Sequence, residues 1–168
     1  MSVHQREVMP SLLQVDAILK RLSGAPVLSA TARFLRHNFP HYRWVGFYRL
    51  EGETLVLDGW DGEAETQHVR IPVGEGVCGR AARENRTVIV DDVSSDPDYL
   101  SCFLETKSEI VVPIRQGGRV LGEVDVDGTS LKAFDASDGR FLEQVAAKLA
   151  ATLAALSEPS APGSPPSP

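Results

Sequence analysis

Apolar side chains recur at helical spacing from Leu12 and Leu13 through Val15, Ile18 and Leu19 to Leu22, with Pro10 and Ser11 ahead of them and Ser23-Gly24 behind. The spacing predicts a helix opening at Pro10. Pro26 restarts the pattern with Val27, Leu28, Ala32, Phe34 and Leu35, and Asn38-Phe39-Pro40 stops it, because the residue before a proline disfavours helix. Residues 43–50, RWVGFYRL, are aromatic and β-prone; Glu51-Gly52-Glu53 turns the chain into a second such run at 54–60, which reads as a hairpin. A short strand at 68–71 precedes PVGEGVCGRAARENR, whose alanine- and arginine-rich second half predicts a short helix, and residues 87–90 form another strand. Residues 91–106, DDVSSDPDYLSCFLET, read as a long loop with room for one helical turn; loops of this length are usually functional or mobile.

Two more strands, 109–116 and 119–127, are joined by Gly117-Gly118, a strong hairpin signal. Asp135 is a helix N-cap with Asp138 three residues on, and Phe141, Leu142, Val145, Leu149, Leu153 and Leu156 carry the apolar stripe that follows. The alanines between Ala146 and Ala155 give that helix a low-relief surface for another helix, which allows a homodimer through the terminal helices. The tail SEPSAPGSPPSP is rich in proline and serine and is expected to be disordered. The elements sum to an α+β domain over residues 10–156, between an extension at 1–9 and the tail at 157–168. It has a mainly antiparallel sheet with the N- and C-terminal helices on one face and a loop-rich pocket on the other.

A chain of 168 residues, 42% hydrophobic, is long enough for one real core. The 17 basic against 23 acidic residues give a net charge of −6 with no basic stripe, which disfavours nucleic acid as a partner. No apolar run is long enough for a membrane span, and MSVHQREVMP lacks a signal pattern, so a cytoplasmic protein is expected. Cys78 and Cys102 are too few for a disulfide framework and match no zinc spacing, and histidines 4, 37, 41 and 68 are scattered, so no metal is assigned.

Strand side chains alternate, so Val120, Gly122, Val124 and Val126 face one way along the last strand while Leu121, Glu123, Asp125 and Asp127 face the other. Three carboxylates about 6 to 7 Å apart along one face either form a solvated surface or, with water excluded, raise one another's pKa. Cys78 lies in Gly76-Val77-Cys78-Gly79, where small neighbours permit close backbone approach, and Cys102 lies in the long loop, where a thiol is reachable.

This order of elements, with GEGVCGRAARENRTVIVDDV, a following cysteine, SEIVVPI and GEVDVDG, resembles the GAF domain and, more narrowly, the free methionine-(R)-sulfoxide reductases; Trp44, Phe47 and Tyr48 in WVGFY fit as well. The resemblance spans residues 10–156. It implies that Cys102 is the nucleophile, that Cys78 is a second redox cysteine, and that Glu109, Asp125 and Asp127, with Trp44 and Tyr48, bind substrate. The chain departs from that family at Gln67-His68, where a further recycling cysteine commonly falls, and at Phe103, where the residue after the nucleophile is often aspartate. The implied reaction reduces free L-methionine-(R)-S-oxide through a Cys102 sulfenic acid that condenses with Cys78 or an external thiol. Thioredoxin is the external reductant, and no bound cofactor is needed.

Two other readings stay open: a small-molecule-sensing GAF module without catalysis, and a dimerisation module without a ligand. The cyclic-nucleotide GAF signature is matched at Phe134 and Asp138, but Gly139 stands in place of its glutamate. The reductase reading also makes a demand on geometry. A two-residue loop at Gly117-Gly118 with regular pairing sets Glu109 opposite Val126, on the wrong face for Asp125 and Asp127. An irregularity between Glu109 and Gly122, with Pro113 the natural place for a break, is therefore expected to bring the three carboxylates together on a cavity beneath Cys102.

Overall fold

The computed structural model describes residues 5–101 and 103–158. Its helices are α1 (Gln5–Arg21), α2 (Ala25–Asn38), α3 (Gly76–Glu84) and α4 (Ala136–Ser157); its strands are β1 (Trp44–Glu51), β2 (Thr54–Asp61), β3 (Arg70–Pro72), β4 (Val88–Val90), β5 (Ser108–Gln116) and β6 (Arg119–Gly128). The strands form one antiparallel sheet in the order β3-β2-β1-β6-β5-β4, so the two sequence-adjacent hairpins meet at the centre, where β1 pairs with β6.

The sheet separates two apolar clusters. Leu12, Val15 and Ile18 of α1, Val27 and Leu35 of α2, and Phe141, Val145 and Leu149 of α4 pack with Phe47, Val112, Val124 and Val126 to form the larger one. The smaller lies on the opposite face, where Val77, Cys78 and Ala81 of α3 meet Trp44, Tyr48, Val88, Val90 and Val111. This is the expected division, with terminal helices on one side and the 61–108 region on the other.

Three boundaries differ from the sequence expectation by more than one residue. α1 begins at Gln5 and carries Pro10 inside it, because Val8 packs on the larger core; the proline forfeits one bond, to the Arg6 carbonyl. The short strand starts at Arg70 and not at residue 68. α3 begins at Gly76, so Cys78 stands in its first turn. There Gly79 makes the close approach that its neighbourhood suggested: a Cβ on it would sit 2.7 Å from the Pro72 carbonyl oxygen. The N-terminus of α4 is the expected capping box, with Asp135 accepting from the Ser137 and Asp138 amides and Asp138 accepting from Asp135 N–H. Residues 1–4 and 159–168, including most of the proline-rich tail, lie outside the described residues.

Candidate active site

β6 is buried on both faces from Leu121 to Gly128. Val124 and Val126 enter the helix-side core, while Glu123, Asp125 and Asp127 point to the other face and are 0%, 2% and 4% exposed. Those exposures dispose of the solvated-face alternative. Across the ladder, Glu109 of β5 pairs with Asp127 and not with Val126, because the register shifts between Ile114 and Arg115. Ile114 faces Gly122 and Arg115 faces Val120, which makes Leu121 the extra residue of a bulge.

The expected irregularity therefore exists, but two details are corrected. The break is on β6 at Leu121. Pro113 keeps its regular place opposite Glu123, because β4 has already ended with Val88 opposite Val111 and asks for no hydrogen bond further along. Leu121 itself does not share the carboxylate face: released by the bulge, it packs into the helix-side core with Ile114 and Val124.

The carboxylates lie where water is excluded. Burial pushes Glu109 well above the ordinary range, and the neighbouring charges of Asp125 and Asp127 add to it; Glu123 and Asp127 are raised chiefly by burial too. Asp125 rises only to about 6, because Glu109 and Cys78 offer it hydrogen bonds that favour its charged form. No arginine, lysine or histidine among the described residues contributes to any of these four shifts. Of the four, Asp125 is thus the carboxylate whose charged form its neighbours favour, and Glu109 is its hydrogen-bonded partner. Asp125 Oδ1, Asp127 Oδ2 and Trp44 Nε1 are buried without a partner among the described residues, and the buried Glu123 oxygens have only the Cys78 thiol beside them. Such atoms are costly unless a ligand meets them.

Cys78 is a free, buried thiol beside this cluster, and burial together with the Asp125, Glu123 and Glu109 charges pushes its pKa up. Trp44 and Tyr48, cross-strand neighbours of Asp127 and Glu123, share the carboxylate face. The Trp44 indole lies over Gly46 and Gly62, either of which would strike it if it carried a Cβ, and stacks on Trp60 at 6.3 Å. Tyr48 donates its hydroxyl to the His68 carbonyl at 2.9 Å.

A cavity of about 400 Å³ opens beside Asp127 and Trp44, with Arg43, Phe103 and Thr106 among its walls. Cys102, and with it the expected position above the carboxylates, lies outside the described residues. Its two neighbours are described, and each is held. His68 Nε2 donates to the Ser101 carbonyl at 3.1 Å, and the Phe103 ring meets Trp44 at 6.0 Å. His68 and Phe103 are the two positions at which the chain departs from the resembled pattern, and they hold the chain on either side of the loop cysteine.

A GAF domain model matches residues 27–154. The chain belongs to the GAF domain family. This GAF domain is 36% identical over 127 residues to the free methionine-R-sulfoxide reductase of Escherichia coli, which is 76% of each chain. Among solved structures, the free methionine-R-sulfoxide reductase of Neisseria meningitidis in complex with its substrate matches with a TM-score of 0.83 and 33% identity, over 93% of this chain and 95% of that one. The type II free methionine-R-sulfoxide reductase of Thermoplasma acidophilum matches with a TM-score of 0.74 and 41% identity, over 76% and 90%.

Three features of the GAF domain's site escaped the sequence reading. Alternation puts Glu123 on the carboxylate face without marking it as a site residue, although it is the most buried of the four. The seats that Gly46 and Gly62 provide for Trp44 depend on a long-range stacking that no local pattern signals. The tether from His68 to Ser101 joins residues 33 apart. Asp138, half of the partial cyclic-nucleotide signature, is spent on the fold: its Oδ1 accepts from the Tyr42 hydroxyl at 2.9 Å and meets His41 Nε2 at 2.7 Å, on the face away from the cavity.

Proposed function

We propose that this GAF domain reduces free methionine-R-sulfoxide, with Cys102 as nucleophile and thioredoxin as the terminal reductant. The observation that carries this reading is the meeting of Glu109, Asp125 and Asp127 in a dry cluster, with one oxygen of each aspartate unpartnered among the described residues, beside an aromatic-walled cavity. The named relatives support the activity. A free amino acid brings an ammonium group, the cation this cluster lacks, and Asp125 is the carboxylate already poised to be charged near neutrality. Trp44 and Tyr48 face the sulfoxide side chain. A peptide-embedded methionine sulfoxide has no ammonium and is rejected.

The Cys102 thiolate attacks the sulfoxide sulfur while protonated Glu109 gives its proton to the sulfoxide oxygen. The S–O bond breaks as methionine leaves, and the hydroxyl passes to Cys102 as a sulfenic acid. The Cys78 thiol condenses with it, releasing water and forming a disulfide, for which Asp125 stands ready as proton acceptor. A thioredoxin dithiol restores both thiols in the reducing cytoplasm. Cys102→Ser abolishes turnover on this account. Cys78→Ser yields about one equivalent of methionine before stalling with thioredoxin, and mass spectrometry of the wild type after one turnover finds a Cys78–Cys102 disulfide. Multiple turnovers by Cys102→Ser would overturn the assignment.

A further inference from the structure

We propose that the reduced protein binds one zinc-class divalent cation at Cys78 Sγ, Glu109 and Asp125, with Glu123 as the fourth ligand. The ligand atoms of Cys78, Glu109 and Asp125 all lie within 4.8 Å of one another, and all three residues are buried. They come from three places in the chain, the first turn of α3 and the facing strands β5 and β6, which is why no ligand spacing shows in the sequence. The scattered histidines play no part.

A second observation points the same way. Asp125 Oδ1, on a carboxylate 2% exposed, has no partner among the described residues, and the fully buried Glu123 has only the Cys78 thiol beside its oxygens. Buried groups of this kind are satisfied by a proton, a substrate cation or a metal. The ligand set selects among metals. Oxygen ligands alone would suit magnesium or calcium, whereas a thiolate beside carboxylates in a closed four-ligand site suits zinc. Zinc holds sulfur at about 2.3 Å and carboxylate oxygen at about 2.0–2.2 Å, so neighbouring ligand atoms around it stand roughly 3.5 Å apart. The set therefore closes by roughly an ångström of side-chain movement.

Binding displaces protons from Cys78, Glu109 and Asp125, so affinity rises with pH. No electron transfer is involved. Oxidation of Cys78 removes the sulfur ligand and releases the metal, and a free amino acid's ammonium competes for the same carboxylates. The binding itself does not depend on the reductase reading, because it needs neither sulfoxide nor turnover.

Cobalt(II), the spectroscopic stand-in for zinc, is titrated into the full chain, reduced and then freed of reductant under argon. The proposal expects one equivalent bound, with an intense near-ultraviolet thiolate-to-cobalt band and tetrahedral visible bands, all abolished by added zinc. Cys102→Ser keeps the band and Cys78→Ser loses it. Glu109→Gln and Asp125→Asn keep a thiolate ligand but weaken binding by about tenfold or more, so the assignment does not rest on one variant's folding. No absorption change in the wild type up to millimolar cobalt, or a band lost in Cys102→Ser and kept in Cys78→Ser, overturns it. Either negative result leaves the reductase reading to its own assay.

Discussion

Glu109 stands directly across the ladder from Asp127, one residue out of the register that the Gly117-Gly118 turn sets at Gln116 and Arg119. The offset is absorbed at Leu121. One extra residue reverses the facing of everything beyond it, so this bulge lets a tight two-residue turn coexist with a shared carboxylate face. It also sends Leu121 into the core, where its burial adds about 1.5–3 kcal/mol.

The buried carboxylates make stability depend on pH with a definite sign. Their folded-state pKa values are raised, so the folded chain keeps protons that the unfolded chain has released. That contribution is complete below the ordinary carboxylate range and is lost as pH rises through the folded values, which for Asp125 means between 3.8 and about 6. Asp125→Asn is therefore expected to gain on the order of 2–3 kcal/mol over the wild type at alkaline pH and little at pH values where Asp125 is protonated in both states. Urea denaturation of both proteins across that range measures it. An equal difference at both ends would contradict the shift.

Gly46 is expected to be a binding residue without touching substrate. A methyl group there collides with the Trp44 indole, which must leave its place against Trp60 and Phe103. Gly46→Ala should shift tryptophan fluorescence and lower kcat/KM by about 10- to 100-fold. Wild-type kinetics with an altered fluorescence spectrum would show that Trp44 does not form the substrate wall.

His68 is a positioning residue on this account. Its exposed bond to the Ser101 carbonyl fixes the residue before Cys102, while its own carbonyl is held by Tyr48 from the carboxylate face. His68→Ala should lower kcat by about five- to tenfold with KM and melting temperature nearly unchanged, and His68→Gln, which keeps a side-chain donor, should recover part of the loss. A melting temperature that falls in step with kcat would mark the role as structural only.

Legibility followed the range of the interactions. Helices α2 and α4 and both long hairpins were readable because period, proline stops, the Asp135 cap and Gly117-Gly118 are local signals. The extent of α1 past Pro10 was not, since tertiary packing of Val8 decides it. The need for a bulge could be inferred from counting residues between the turn and Glu109. Its place could not, because Pro113 looked like the weak point until the sheet order showed β4 ending short of it. Burial of the acidic face was equally beyond reach: alternation puts Glu123, Asp125 and Asp127 together, but only the cover provided by α3 and residues 61–108 distinguishes a dry site from a wet one.

The central claim is most directly tested by amino-acid analysis of methionine released from free L-methionine-(R)-S-oxide, with dithiothreitol as reductant so that no partner protein is assumed. The S epimer and an N-acetylated R sulfoxide serve as comparisons. The account predicts multiple turnovers of the free R epimer, little or none of the S epimer, and strong discrimination against the N-acetylated compound, which cannot offer an ammonium to Asp125 and its neighbours. Release of no methionine from either free epimer by the reduced protein, or equal turnover of the N-acetylated sulfoxide, would contradict it.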